Sequence, residues 1–362
     1  MRLGFLLALA LVGCTRADPA TEGGATTPQP FGAADGKWTW VPIDGAMCGN
    51  GSATGIGVNP TAASKKLVIF LEGGGACYEA KGCTGPKPGA SHFMGYGASD
   101  LAEFAKDEGA RGMFDRADAK NPFRDYDFVF VPYCTGDVHA GNHVKVDGDV
   151  TLNFVGQRNV KAMLPRVVAN FSAPDKVVLT GSSAGGFGTM YNFWLVDDAF
   201  GGKNTMFVDD SGPFFPMPVV VALTIVVDIW DLPQTIAPNC PKCLDQMDMD
   251  GGLHQLIPYY AKTRPGRRGA LLSSMRDKTI SERLFIKQDE FQKALVDLAD
   301  KTVPLNKDFH VFYLPGETHV WLHGDSKTGK LSDVASGGTT LDVFLQRALD
   351  GDPAWADVRP KP

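Results

Sequence analysis

The run Gly181-Ser182-Ser183-Ala184-Gly185-Gly186 presents a serine between residues too small to crowd it. It contains G-x-S-x-G, the pattern of a serine raised on a sharp strand-to-helix turn for attack on an acyl carbon. Such attack needs a base to take the serine proton and N–H donors to meet the oxyanion that forms. The glycine triplet Gly73-Gly74-Gly75 lies upstream of Ser183, after an apolar run. Backbone without Cβ atoms can approach a substrate closely. The loop Gly73-Gly74-Gly75-Ala76, with the amide of Ala184 directly after the serine, is therefore the candidate source of oxyanion donors. Ser182 is the competing serine, but it lacks the glycine two residues before it.

In folds carrying this elbow the acid and the base follow the serine in that order. The histidines after Ser183 are His254, His310, His319 and His323. His319 follows a strand-like run and the turn Pro315-Gly316, which predicts a loop at the carboxyl end of the sheet, where a base can reach Ser183. His323 is the runner-up. Asp277 follows the apolar run 270–275 and is the candidate acid, there to hold the imidazole tautomer and stabilise the imidazolium. Asp289 is the alternative, less well placed on a predicted helix.

These side chains need a scaffold. Short apolar runs at 66–71, 127–132, 176–180, 269–275 and 309–314 read as buried parallel strands. Apolar spacing predicts helices over 159–169, 186–196 and 289–300. Strands alternating with helices indicate an α/β fold of α/β-hydrolase type, a mostly parallel sheet with helices on both faces. The apolar, Pro-rich stretch 213–244 interrupts the alternation and is expected to be a cap-like insertion, with a buried helix pair of the main core as the alternative.

The chain of 362 residues is 44% hydrophobic and 21% charged, enough for a large core and inconsistent with disorder. Its formal net charge of -6 argues against a nucleic-acid partner. Met1-Arg2, the apolar run 3–12 and Leu11-Val12-Gly13-Cys14 predict a signal peptide with a lipobox over 1–14 and lipid on Cys14. Residues 15–36 read as a flexible tether, with 37–362 as the catalytic domain. The apolar runs 3–12 and 219–227 are too short to span a bilayer, so membrane contact is expected through the lipid anchor only.

Setting Cys14 aside leaves Cys48, Cys77, Cys83, Cys134, Cys240 and Cys243, an even set that suggests disulfides in an exported protein. Six cysteines allow fifteen pairings, and the residues alone do not choose. Cys240-Pro-Lys-Cys243 has no second metal-ligand pair and no thioredoxin-like setting, which favours a structural disulfide over zinc or redox chemistry. Asp245, Asp248, Asp250 and Gly251 loosely resemble a calcium loop. Gln246 at the opening position and Ile257 at the closing one exclude an EF-hand and leave weak surface calcium open.

Three motifs in order, Leu71-Glu-Gly-Gly-Gly-Ala-Cys77, Pro132-Tyr-Cys-Thr-Gly-Asp-Val-His-Ala-Gly141 and Gly181-Ser-Ser-Ala-Gly-Gly186, resemble the pectin acetylesterase family, which includes plant pectin acetylesterases and the animal carboxylesterase Notum. The resemblance covers about residues 37–323. It implies an α/β-hydrolase with a triad of Ser183, Asp277 and His319, oxyanion donors from Gly74, Gly75 and Ala184, and no metal or cofactor. It also implies disulfides Cys48–Cys134, Cys77–Cys83 and Cys240–Cys243. Three departures touch the acyl pocket. Gly75-Ala76 stands where relatives place a bulky Trp. Thr318-His319-Val320 lacks the cysteine that follows the histidine in plant members. His139 stands where Notum has Trp.

The sequence therefore reads as an exported serine carboxylesterase, with acetyl esters on a polysaccharide as the first substrate expectation. A lipase-like long-chain deacylase acting on a lipidated substrate is the second. A surface binding lipoprotein on an inactive hydrolase scaffold is the rival of another class. It predicts a broken triad, whereas candidates for every part are present.

Overall fold

The computed structural model describes residues 30–361 apart from 63, 203, 217–220 and 246–249. The expected signal peptide, Cys14 and residues 15–29 of the tether lie outside the described residues, as does most of the acidic loop around Asp248.

The main strands are β1 (Thr39–Met47), β2 (Ala53–Asn59), β3 (Lys66–Leu71), β4 (Asp127–Val131), β5 (His143–Asp147), β6 (Val150–Phe154), β7 (Lys176–Ser182), β8 (Thr205–Asp210), β9 (Arg268–Ser274) and β10 (Phe309–Leu314). The helices are α1 (Ala80–Thr84), α2 (Ala98–Lys106), α3 (Gly156–Asn170), α4 (Ala184–Ala199), α5 (Val221–Ile229), α6 (Leu256–Thr263), α7 (Lys278–Arg283), α8 (Gln288–Asp297) and α9 (Leu341–Asp350). An 8-stranded sheet runs in the order β1-β2-β4-β3-β7-β8-β9-β10. Pairing is parallel from β4 through β10 and antiparallel where β1 meets β2 and β2 meets β4. β5 and β6 form a separate hairpin. This is the mostly parallel, doubly covered sheet that the strand–helix alternation implies.

The apolar runs are continuous because both faces of each strand are covered. On β3, Leu67, Ile69 and Leu71 belong to one core, which also holds Val160 and Leu164 of α3 and Met190 and Phe193 of α4. Val68 and Phe70 point into the other core, with Leu101 and Phe104 of α2 and Phe344 and Leu345 of α9. β10 divides in the same way, Val311 and Tyr313 against Phe312 and Leu314.

Strands β1, β2 and β8 are not legible in the sequence. β1 carries Pro42 and Gly45, which edge strands tolerate. The apolar part of β8 is only Met206-Phe207-Val208 before two aspartates, both fully buried. In the 213–244 stretch, Phe214, Trp230, Leu232 and Cys243 are buried in the same core as α3 and α4. The Trp230 indole N–H donates to the Cys77 carbonyl at 3.2 Å, and Tyr191 of α4 donates to the Leu232 carbonyl at 3.2 Å. Three disulfides join Cys48 to Cys134, Cys77 to Cys83 and Cys240 to Cys243. The first ties the β1–β2 connection to the loop after β4, and the second closes the loop downstream of the glycine triplet.

Candidate active site

Ser183 occupies the single residue between β7 and α4, with φ 59° and ψ -119°. A non-glycine residue held at positive φ stores strain that the surroundings must sustain. Here the surroundings are tight. A Cβ on Gly181 or Gly185 would run into the Leu71 carbonyl oxygen at the end of β3. The two glycines of G-x-S-x-G are thus required by the packing of β3 against the turn. The Ser183 amide donates to the Asp210 carbonyl at 2.7 Å, which fastens the turn to the end of β8.

The glycine triplet follows β3 and passes directly alongside. A Cβ on Gly73 would lie 3.0 Å from the Ser183 Cβ. Gly74 and Gly75 both have positive φ, 151° and 80°. Their carbonyls are tied down: Ser91 N–H donates to Gly74 O at 2.8 Å, and the Tyr133 hydroxyl to Gly75 O at 2.8 Å. Their amides have no acceptor among the described residues. Ala184 is the first residue of α4, so its amide lacks an intrahelical acceptor too. Free N–H donors on a backbone anchored through its carbonyls suit an oxyanion, because they need no reorganisation when charge develops.

Two buried groups support this loop. His139 Nε2 lies 2.8 Å from the Glu72 carbonyl, and its ring packs 4.9 Å from that of Tyr133. Nε2 must carry the proton, since a carbonyl only accepts. Burial pushes His139 down to about 4, so the ring is neutral at pH 7. The Glu72 carboxylate accepts the Tyr133 amide at 2.8 Å. The residue is half-buried overall, yet burial of the carboxyl pushes it up to about 8. With a pKa of about 8, the Glu72 carboxyl is protonated and uncharged at pH 7.

His139 gives a pH prediction. Its folded pKa lies below the ordinary 6.5, so its contribution to stability is full above 6.5 and is lost as pH falls towards 4. The interval corresponds to ~3 kcal/mol if the ring stays buried. His139→Gln, which keeps an amide donor but does not titrate, should flatten the fall in melting temperature between pH 6.5 and 4. An unchanged slope would mean that His139 does not govern the acid limb.

Asp277 and His319 come from adjacent loops after β9 and β10. These loops are zipped together beyond the strands: Met275 N–H donates to Leu314 O at 2.8 Å, Arg276 N–H to Gly316 O at 3.0 Å, and Ser274 Oγ to Thr318 O at 2.6 Å. Asp277 caps α7, with Oδ1 accepting the Ile280 amide at 2.9 Å. Its Oδ2 lies 2.8 Å from His319 Nδ1, and the Asp277 side chain is fully buried. A carboxylate facing Nδ1 fixes the proton there and leaves Nε2 as the acceptor. His319 Nε2 is buried and has no hydrogen-bond partner among the described residues. It forms no bond to Ser183 Oγ, a contact that in such sites often closes only with substrate in place.

The other candidates lie elsewhere. Ser182 is buried and donates to Asp210 Oδ2 at 2.8 Å. His323 sits 5.9 Å from the Phe70 ring, with Nε2 3.7 Å from Glu108. Asp289 lies in the first turn of α8 and pairs with Arg276 at the surface. His310 pairs with Asp357, and His254 is buried beside Gln255. No group of three or more His, Cys, Asp or Glu among the described residues is placed to hold a metal ion. Sequence reasoning missed Asp210, whose signal was the Asp209-Asp210-Ser211-Gly212 turn after a short apolar run.

The pectinacetylesterase family model matches residues 38–261, more than half of the chain. The chain belongs to the pectin acetylesterase family. Among curated members of wider kinship, it is 33% identical over 154 residues to the palmitoleoyl-protein carboxylesterase NOTUM of Schmidtea mediterranea. It is 32% identical over 148 residues to notum2 of Xenopus laevis. Each alignment takes in 40% of this chain but only 27% and 29% of the relative, less than a third of its length. The crystal structure of the Wnt deacylase Notum from Drosophila superposes with a TM-score of 0.66 over 91% of this chain and 97% of that one, at 17% identity. This pectin acetylesterase family member therefore shares the fold of that enzyme.

Proposed function

We propose that the protein is a serine carboxylesterase. Ser183 attacks the ester carbonyl, His319 takes its proton through Nε2 and returns it to the leaving alcohol, and Asp277 holds the imidazole. Gly74, Gly75 and Ala184 donate N–H groups to the oxyanion, and water then cleaves the acyl-enzyme. The observation that carries this reading is the 2.8 Å contact between Asp277 Oδ2 and His319 Nδ1, with Nε2 unpartnered among the described residues, on a loop fastened to the same strand end as Ser183. The amides of Gly74 and Gly75 beside the serine support it.

The first substrate class is a short acyl ester, acetyl on a polysaccharide, which accords with the family's name. The names of the relatives favour a second, a long acyl chain on protein. Three disulfides support an exported protein, and the lipobox ending at Cys14 supports a lipid anchor.

Hydrolysis of p-nitrophenyl esters from acetate to octanoate tests both points. The account predicts turnover with the optimum at acetate. An optimum at octanoate would move the substrate to the long-chain class. No turnover of any ester, together with no reaction with a fluorophosphonate, would favour the binding-protein reading.

A further inference from the structure

The end of β8 joins two parts of the site that come from distant stretches of sequence. The Asp210 carboxylate is fully buried. Its Oδ2 accepts from the Ser182 hydroxyl at 2.8 Å, the Trp321 amide at 2.9 Å and the Leu322 amide at 3.0 Å. Its Oδ1 accepts from the Trp321 amide at 3.0 Å and the Ser211 hydroxyl at 3.2 Å. The Ser211 hydroxyl in turn accepts the Val320 amide at 3.3 Å. Donors from the residue before Ser183 and from the three residues after His319 thus converge on Asp210 and its neighbour. The Asp210 carbonyl also accepts the Ser183 amide at 2.7 Å.

We propose that Asp210 is the positioning residue that aligns Ser183 with His319, a single carboxylate clamping the nucleophile turn to the histidine loop. The proposal rests on the reading of Ser183 as nucleophile and His319 as base. Asp277 orients the ring through Nδ1, and among the described residues its carboxylate makes no hydrogen bond to the Ser183 turn or to β8. Among the described residues no other side chain accepts hydrogen bonds from both segments. Burial pushes the Asp210 carboxyl up, and the Leu322 and Trp321 amides oppose that, because backbone N–H groups can only donate. The conserved shape of Asn cannot replace it. The Trp321 amide faces both oxygens, so the Nδ2 group of an asparagine would oppose an N–H in either orientation. Ser182, which competes with Ser183 in the sequence, has a role in this clamp as the donor on the nucleophile side.

The test is steady-state hydrolysis of p-nitrophenyl acetate by wild type, Asp210→Asn, Ser182→Ala and Ser183→Ala, with kcat expressed per site titratable by fluorophosphonate. Asp210→Asn should lower kcat about 100-fold, the effect expected of a misplacement near 1 Å, with KM within about twofold. Ser182→Ala removes one donor and should lower kcat about 10-fold. A purely structural role would reduce the number of titratable sites and the melting temperature but leave kcat per site unchanged, and that result would overturn the proposal. If Asp210→Asn does not fold by circular dichroism, Ser182→Ala decides: a wild-type kcat per site overturns the clamp, and a fall at constant KM supports it. Activity retained by Ser183→Ala would instead sink the nucleophile reading, and the clamp with it.

Discussion

Ser183→Ala lowers kcat for p-nitrophenyl ester hydrolysis by at least about 10⁴-fold while the protein stays folded. The size follows from the proposed mechanism, in which Ser183 Oγ forms the acyl-enzyme; serine hydrolases that lose their nucleophile keep just the residual catalysis of oxyanion hole and binding. The fold survives because the Ser183 side chain makes no hydrogen bond among the described residues, and the turn is held by the Ser183 backbone and by Ser182. Alanine at φ 59° costs no more than serine there. The check is kcat together with a thermal melt. A mutant that keeps more than a tenth of wild-type turnover would remove Ser183 from the mechanism.

Asp277→Asn is expected to lower kcat/KM about 10⁴-fold at neutral pH. The fold loses little, since the amide oxygen can still accept from Ile280 and cap α7. What changes is the atom facing His319. An Nδ2 group there donates to Nδ1 and drives the ring proton to Nε2, so the nitrogen that the proposed mechanism uses as base is blocked. Asp277→Ala removes the cap as well and should cost about 1 kcal/mol of stability in addition. The pair separates the two duties of one carboxylate. Equal activity losses with unequal melting temperatures are the expected pattern, measured by kinetics and calorimetry. Asp277→Asn with wild-type activity would point to another acid.

Much of the scaffold is legible because burial on both faces leaves an unbroken apolar run. β3 and β10 have the bounds the sequence suggests, and β4, β7 and β9 differ only at their ends. The helices over 159–169 and 186–196 extend further in the structure, to Gly156–Asn170 and Ala184–Ala199. α4 starts directly after Ser183 because the turn needs no connecting residue. The failures are physical as well. β8 alternates little and ends in Asp209-Asp210, and two buried carboxylates look like a surface turn until their donors are known. Asp209 accepts from Gly212 nearby, but the Asp210 donors Trp321 and Leu322 lie more than a hundred residues away, and no local pattern reports them. β1 is an edge strand carrying Pro42 and Gly45, and β2 beside it carries Gly55 and Gly57, so pairing rather than side-chain pattern sets the conformation. At the site, the loop positions of Asp277 and His319 could be read from the strand ends, whereas the 2.8 Å contact between them depends on parallel pairing of β9 with β10.

The most direct test of the central claim is fluorophosphonate labelling of the wild-type protein followed by peptide mapping. The account predicts one adduct per chain, on Ser183, with esterase activity lost in proportion to labelling and no labelling of Ser183→Ala. An adduct on Ser182 or elsewhere, or full ester hydrolysis by protein that does not label, would contradict it.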